Sequence, residues 1–237
     1  MKNIYSIRLI VLLSIFFGGG ALAKESDASK DATSYIPPKG LMLNLDFHQV
    51  KDGLILSKSL FPLNVPVGKF NFREARARRV LMIDSDETLY IPHSSLLDPH
   101  NGTWISSIQI YSRTNGVVVS QCDQTDGYVI YIADGIVHAA IHNKGRTIVL
   151  REAPGCGLGK MFKKRVTIVL KITPENVFLT LNRNLVAYVK LNHPFSAKNA
   201  FIQIGKNKYL PKSLQKVFNM PKEGFSGAVV TFKIISQ

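Results

Sequence analysis

Chemistry in this chain has to begin with its carboxylates, histidines, cysteines and clustered arginines, and their spacing limits what each can do. A glycosidase needs a pair of carboxylates about 5 to 9 Å apart across the sugar. The nearest approach to such a pair is Asp84, Asp86 and Glu87, which fall between two short strands, where exposed acids in a turn are ordinary. No Glu-x-Asp-x-Glu alternation and no Gly-x-Ser-x-Gly elbow occurs, so neither a jelly-roll glucanase pattern nor a serine nucleophile is indicated. Of the 6 histidines (His48, His93, His100, His138, His142 and His193), only His138 and His142 are close in sequence. They share a strand face with Ala140 between them, about 13 Å apart at ~3.3 Å per residue, too far to ligate one zinc ion.

Two other groups point to binding. Arg73, Arg76, Arg78 and Arg79 lie within ten residues of one another, and guanidinium forks pair with carboxylate and sulfate groups. The same segment also fits a solvated loop or a turn of helix. Trp104, Tyr111, Tyr128, Tyr131 and Tyr188 are aromatic platforms by type. Trp104 shares a face with Ile108 and Ile110 and is expected in the core, whereas Tyr111 and Tyr131 fall in the opposite phase and are expected on an outward or concave face.

The elements that must position these groups are strands. Residues 103–112, 116–122, 127–133, 136–143 and 146–152 read as a meander, and the Asp134-Gly135 turn is a strong hairpin signal because both residues take positive φ. Alternation of apolar and polar residues adds strands over 41–47, 80–83, 88–92, 165–173, 177–181, 185–191, 201–204 and 224–235, while the Pro-punctuated stretch after Asp52-Gly53 reads as loop. Leu210, Leu214 and Phe218 at four-residue spacing predict one short helix over 211–218, with Pro211 at its first position. The pattern predicts an all-β fold, a two-sheet antiparallel β-sandwich with that single helix.

The chain has 237 residues and a formal charge of +14, and a basic balance favours acidic partners. Lys2 and Arg8, an apolar run over 9–17 and Ala21-Leu22-Ala23 are expected to form a bacterial-type secretory signal peptide, residues 1–23. Removing Lys2 and Arg8 leaves +12 in an extracytoplasmic (periplasmic or secreted) chain, which makes nucleic acid an unsuitable partner. Residues 24–39 read as a flexible linker, and 40–237 as one domain with no transmembrane segment. An exported chain with Cys122 and Cys156 invites a disulfide. In a simple meander the two lie at opposite strand ends, roughly 20 Å apart, so pairing depends on the strand order.

Several phrases resemble, in order, the laminin G-like branch of the concanavalin A-like lectin and glucanase sandwiches. They are residues 104–111 followed by Gly116-Val117-Val118-Val119-Ser120; the Gly127-to-Val137 hairpin around Asp134-Gly135; residues 166–170 and 177–184; Ile202-Gln203-Ile204-Gly205; and Gly224-Phe225-Ser226-Gly227-Ala228. Lys163, Lys164 and Arg165 stand where that family often has an aromatic residue. The resemblance spans residues 40–237 and implies a jelly roll whose rim loops bind glycans or proteins, sometimes through calcium. It places a candidate calcium ligand at Asp126, with Asp123 in the same loop and the Asn143 carbonyl beside them. The expectation is a non-catalytic binding module for an acidic polysaccharide or cell-envelope protein, with Tyr111, Tyr131 and the Arg73–Arg79 cluster as ligand residues and lysines 206, 208, 212 and 216 adding to the basic surface. The alternative is a polysaccharide-active enzyme (glycosidase or lyase) using a dispersed carboxylate pair among Asp84, Asp86 and Asp126.

Overall fold

The computed structural model describes residues 39–60, 62–75, 78–100, 102–152, 164–208 and 210–237. Its strands are β1 (Gly40–Asp46), β2 (Val50–Lys51), β3 (Leu54–Leu56), β4 (Asn64–Pro66), β5 (Phe72–Ala75), β6 (Arg78–Ile83), β7 (Thr88–Ile91), β8 (Trp104–Ser112) and β9 (Gly116–Cys122). They continue with β10 (Gly127–Ala133), β11 (Ile136–Asn143), β12 (Arg146–Arg151), β13 (Arg165–Ile172), β14 (Asn176–Leu181), β15 (Asn184–Lys190), β16 (Phe201–Gly205) and, after helix α1 (Lys212–Phe218), β17 (Gly227–Ser236). The signal-peptide residues, nearly all of the expected linker, Arg76 and Cys156 lie outside the described residues.

The strands form an all-β sandwich. An eight-stranded sheet runs β15-β14-β13-β8-β17-β6-β5, with β1 also paired to β17, and a six-stranded sheet runs β12-β11-β10-β9-β16-β7. β2, β3 and β4 make a small third sheet in the stretch expected to be loop. Short strands with exposed Leu54 and Leu56 give little periodicity to read. Ile108, Ile168, Leu170 and Phe232 of the larger sheet and Ile130, Val137, Ile141 and Ile204 of the smaller one meet in one core. Alternation dictates this: in β8 and β13 every second residue is buried and the others half-exposed, as a sheet with one wet face requires.

The expected meander is corrected at its first turn. β8 belongs to the eight-stranded sheet and β9 to the six-stranded one, so residues 113–115 cross between sheets instead of closing a hairpin. The crossing is fixed to the loop before β17: Arg113 N–H donates to Ser226 O at 2.8 Å, and Ser226 N–H donates to Thr114 Oγ1 at 2.8 Å. The remaining turns close antiparallel hairpins as expected, and Asp134 and Gly135 take φ of 52° and 72° at theirs.

Both faces of β9 and β10 are buried. The inward face joins the core; the outward face, with Val117, Val129, Tyr131 and Ala140, lies under Leu210, Leu214 and Phe218 of the helical segment. Pro211 is the N-cap of α1, one position earlier than expected, and Asn219 closes the helix in the left-handed region at φ 46°. A helix of this length is not stable alone, so its apolar face on the sheet is what holds it.

Candidate functional site

The outer face of the eight-stranded sheet is open at one end in a groove of about 620 Å³ lined by Arg73, Glu74, Val80, Met82, Tyr111, Ser112, Arg113 and Ala228. Register explains its shape. Ala228 of β17 stands between Tyr111 of β8 and Met82 of β6, so the short side chain forms a low floor between two tall ones. Gly227 beside it lets β17 lie close to β8; a Cβ there would sit 2.1 Å from the Tyr111 carbonyl oxygen. Val80, Ala228 and Val230 are buried beneath the surrounding side chains although they face outward. Arg73 pairs with Val80 across the β5–β6 ladder, and Arg165 of β13 stands next to Tyr111. The result is an apolar trough with Arg73 and Arg113 as the cations and Glu74 as the acid in its lining.

The structure brings Arg73 and Tyr111 together in the groove, whereas Arg78, Arg79 and Tyr131 do not line it, and Arg76 lies outside the described residues. The described residues that carry Arg73, Arg78 and Arg79 are neither solvated loop nor helix: they belong to β5 (Phe72–Ala75) and to the start of β6 (Arg78–Ile83). Arg79 turns its guanidinium over the Phe72 ring, 4.6 Å from the centroid, and its N–H donates to His48 Nδ1 at 3.1 Å. Arg78 is exposed opposite Ala75 and does not line the groove. Tyr131 does point to the outer face of its own sheet, as its phase requires. It is nonetheless 4% exposed, because the helical segment covers it, and its ring stacks on His138 at 4.9 Å. Burial holds its hydroxyl above the ordinary tyrosine range and removes the ring as a platform. Trp104 is in the core, as expected, with Nε1–H donating to Gln121 Oε1 at 3.2 Å. Arg113, Arg165 and the floor residues were missed by the sequence reading.

The acids serve turns. Asp123 Oδ1 accepts from Thr125 N–H at 2.6 Å and Asp126 N–H at 2.7 Å, while its Oδ2 accepts from Lys198 N–H at 3.0 Å. Asp126 Oδ1 accepts from Lys144 N–H at 2.7 Å, and its Oδ2 accepts from Thr125 Oγ1 at 3.2 Å. A calcium ion at this loop would compete with backbone donors for three of the four carboxylate oxygens and with the Thr125 hydroxyl for the fourth. Among the described residues no three His, Cys, Asp or Glu side chains cluster as a metal site. Asn143 turns its side-chain amide to the His193 and Pro194 carbonyls. Glu87 Oε2 accepts from Asp84 N–H at 2.9 Å, closing the β6–β7 turn. That turn lies beside Gly205, whereas Cys122, next to the Asp123 loop, faces Phe201. The two acidic groups are therefore at opposite ends of β16, at least about 13 Å apart along the strand, beyond the separation of a glycosidase pair. Cys122 is a buried free thiol, and burial pushes its pKa far up.

The chain is a two-sheet β-sandwich with one covered and one open outer sheet face. No protein-family model and no curated protein matches the sequence. Among solved structures the chain is similar to the binding domain of botulinum neurotoxin serotype G (TM-score 0.61, 12% identity, 83% of this chain and 48% of that one). It is similar to the receptor binding domain of botulinum neurotoxin D (TM-score 0.60, 15% identity, 83% and 49%). A third is the serotype D ligand binding domain in complex with N-acetylneuraminic acid (TM-score 0.62, 14% identity, 83% and 47%). The chain spans about half the length of these neighbours, and at such identity the likeness establishes the sandwich fold.

Proposed function

We propose that this chain is an exported, non-catalytic binding module of the laminin G-like, concanavalin A-like kind, whose ligand is an acidic glycan held in the groove of Arg73, Tyr111 and Arg113. The observation that carries the reading is the convergence of two guanidinium groups and a tyrosine ring on an apolar trough large enough for a sugar. Guanidinium forks match a carboxylate or sulfate, and the tyrosine and the floor match the apolar face of a pyranose ring. The serotype D neighbour bound to N-acetylneuraminic acid, a carboxylated sugar, supports an acidic glycan on a related scaffold. The separation of the acidic turns supports a binding role over hydrolysis.

Titration calorimetry of the mature chain with sialylated, uronate and sulfated oligosaccharides tests it. A charge-assisted hydrogen bond is worth about 1.5–3 kcal/mol, so Arg73→Ala and Arg113→Ala are each expected to weaken binding roughly 10- to 100-fold, and added salt to weaken it further. Affinity indifferent to both arginines and to salt sinks the proposal, and so does release of reducing sugar from any ligand. N-terminal sequencing of the exported chain tests cleavage after Ala23.

A further inference from the structure

The groove occupies one corner of a much larger open face, and the rest of that face is unusual in its charge. Adjoining strands β15, β14, β13, β8 and β17 contain no Asp or Glu at all. Their outward phase follows from the register. Val166, Ile168 and Leu170 are buried in the core, so Arg165, Thr167, Val169 and Lys171 point away from it, opposite Tyr111, Gln109, Ser107 and Ile105. Lys171 is next to Phe178, Phe178 is next to Tyr188, and Asn176 is next to Lys190. Phe178 and Tyr188 stack with ring centroids 6.3 Å apart at 22°. Tyr188 is 69% exposed, more than any other large apolar residue described.

We propose that the Phe178–Tyr188 stack, flanked by Lys171 and Lys190, is a second subsite, and that the ligand is an anionic polysaccharide long enough to cover both it and the groove. The inference rests on reading the groove as a glycan site. The geometry favours a polymer. Arg165 and Lys171 are six residues apart on one strand, about 20 Å at ~3.3 Å per residue. Tyr111 and Tyr188 are separated by three strand spacings, about 14 Å. The diagonal of about 24 Å exceeds a single sugar. Between the subsites lie hydroxyl and amide groups suited to sugar hydroxyls: Ser107, and Gln109, whose Nε2 donates to Thr167 Oγ1 at 3.0 Å. Stacking on Phe178 holds the Tyr188 ring in place before a ligand arrives, which lowers the ordering cost of stacking a sugar on it. Five adjoining strands with cations and no acids attract a chain that carries charge on successive residues.

The test is a length ladder of sulfated and of uronate oligosaccharides, from disaccharide upward, titrated into the mature chain and into Tyr188→Ala, Tyr188→Phe and Tyr111→Ala. Affinity is expected to rise by at least about tenfold once the oligosaccharide spans both subsites, because the second contact is intramolecular. Tyr188→Ala removes that gain and leaves disaccharide affinity unchanged; Tyr188→Phe keeps the gain; Tyr111→Ala weakens every length. The two ladders separate sulfate from carboxylate as the preferred charge. A flat ladder with measurable disaccharide binding, or a gain that survives Tyr188→Ala, overturns the second subsite while the groove stands. Absence of binding at every length, with phosphatidylglycerol vesicles bound instead, overturns both.

Discussion

Phe218 tests whether the helix is held by its contact with the six-stranded sheet. The side chain is 1% exposed and packs with Leu210 and Leu214 over Val117, Val129 and Tyr131. Truncating a buried Phe to Ala costs about 3–5 kcal/mol. A short surface helix can settle partway into the space, so the lower end, about 3 kcal/mol, applies here. For a domain of this size that lowers the melting temperature by roughly 6–12 °C and leaves a folded state, since total stability is about 5–15 kcal/mol. Val217, on the same helix but 40% exposed, is the control, and Val217→Ala is expected to change stability by no more than about 0.5 kcal/mol. Circular-dichroism melts of the two variants decide the matter. Because the groove is on the other sheet, Phe218→Ala is also expected to keep ligand affinity below its melting range. Equal melting of the two variants refutes the account of how the outer face is closed.

Gly227→Ala places a Cβ 2.1 Å from the Tyr111 carbonyl oxygen, so β17 must shift; a loss of about 1–3 kcal/mol in urea melts is expected, together with weaker binding from a displaced Tyr111. His138 is held below the ordinary histidine value of 6.5, first by burial and then by the Arg151 charge, and His100 is lowered by burial against an opposing effect of Asp98. The unfolded state therefore binds more protons between the folded values and 6.5, so this stability is complete above 6.5 and lost as pH falls through the folded values; urea midpoints are expected to drop as pH falls below 6.5, and less so in His138→Gln. Glu74 is the acid in the groove lining, so Glu74→Gln is expected to tighten an anionic ligand and steepen the salt dependence; unchanged affinity in calorimetry would argue against charge pairing in the groove.

Where a strand has one wet face, the sequence shows it. Val166, Ile168, Leu170 and Ile172 alternate with half-exposed residues, and the strand lies where the period puts it. The Asp134-Gly135 hairpin and the helix on Leu210, Leu214 and Phe218 were legible for the same reason, that local geometry demands those residues. The crossing at residues 113–115 was not, because its length suits a hairpin and only the distant bonds to Ser226 distinguish it. A clue lay in β9: Val117, Val118 and Val119 run without alternation, as a strand buried on both faces does, while β8 alternates. Tyr131 was assigned the correct face, but what covers that face is set by residues some eighty positions later. The groove suffered likewise. Arg73 and Tyr111 were singled out by type, yet the floor at Ala228 and the rim at Arg113 exist only through pairing among β6, β17 and β8.

The two outer faces differ for a reason that bears on function. Val117, Val129, Tyr131 and Ala140 make the outward phase of the six-stranded sheet apolar, so it needs a cover, and the segment after β16 supplies one. Ser107, Gln109, Thr167 and Thr231 in the outward phase of the other sheet tolerate water without a cover. Solubility explains those polar residues, but it does not explain the sign of the charges among them. Aspartate or glutamate would hydrate the face as well as Arg165, Lys171, Lys190 and Lys233 do, and mixed signs would avoid the mutual repulsion of cations. A face kept wet and free of acids across five adjoining strands bears a standing electrostatic cost that an anionic ligand relieves on binding. Neutralising Lys171 and Lys190 together should therefore raise thermal stability at low salt while lowering polysaccharide affinity. A stability that falls instead would mean that these charges have partners within the fold.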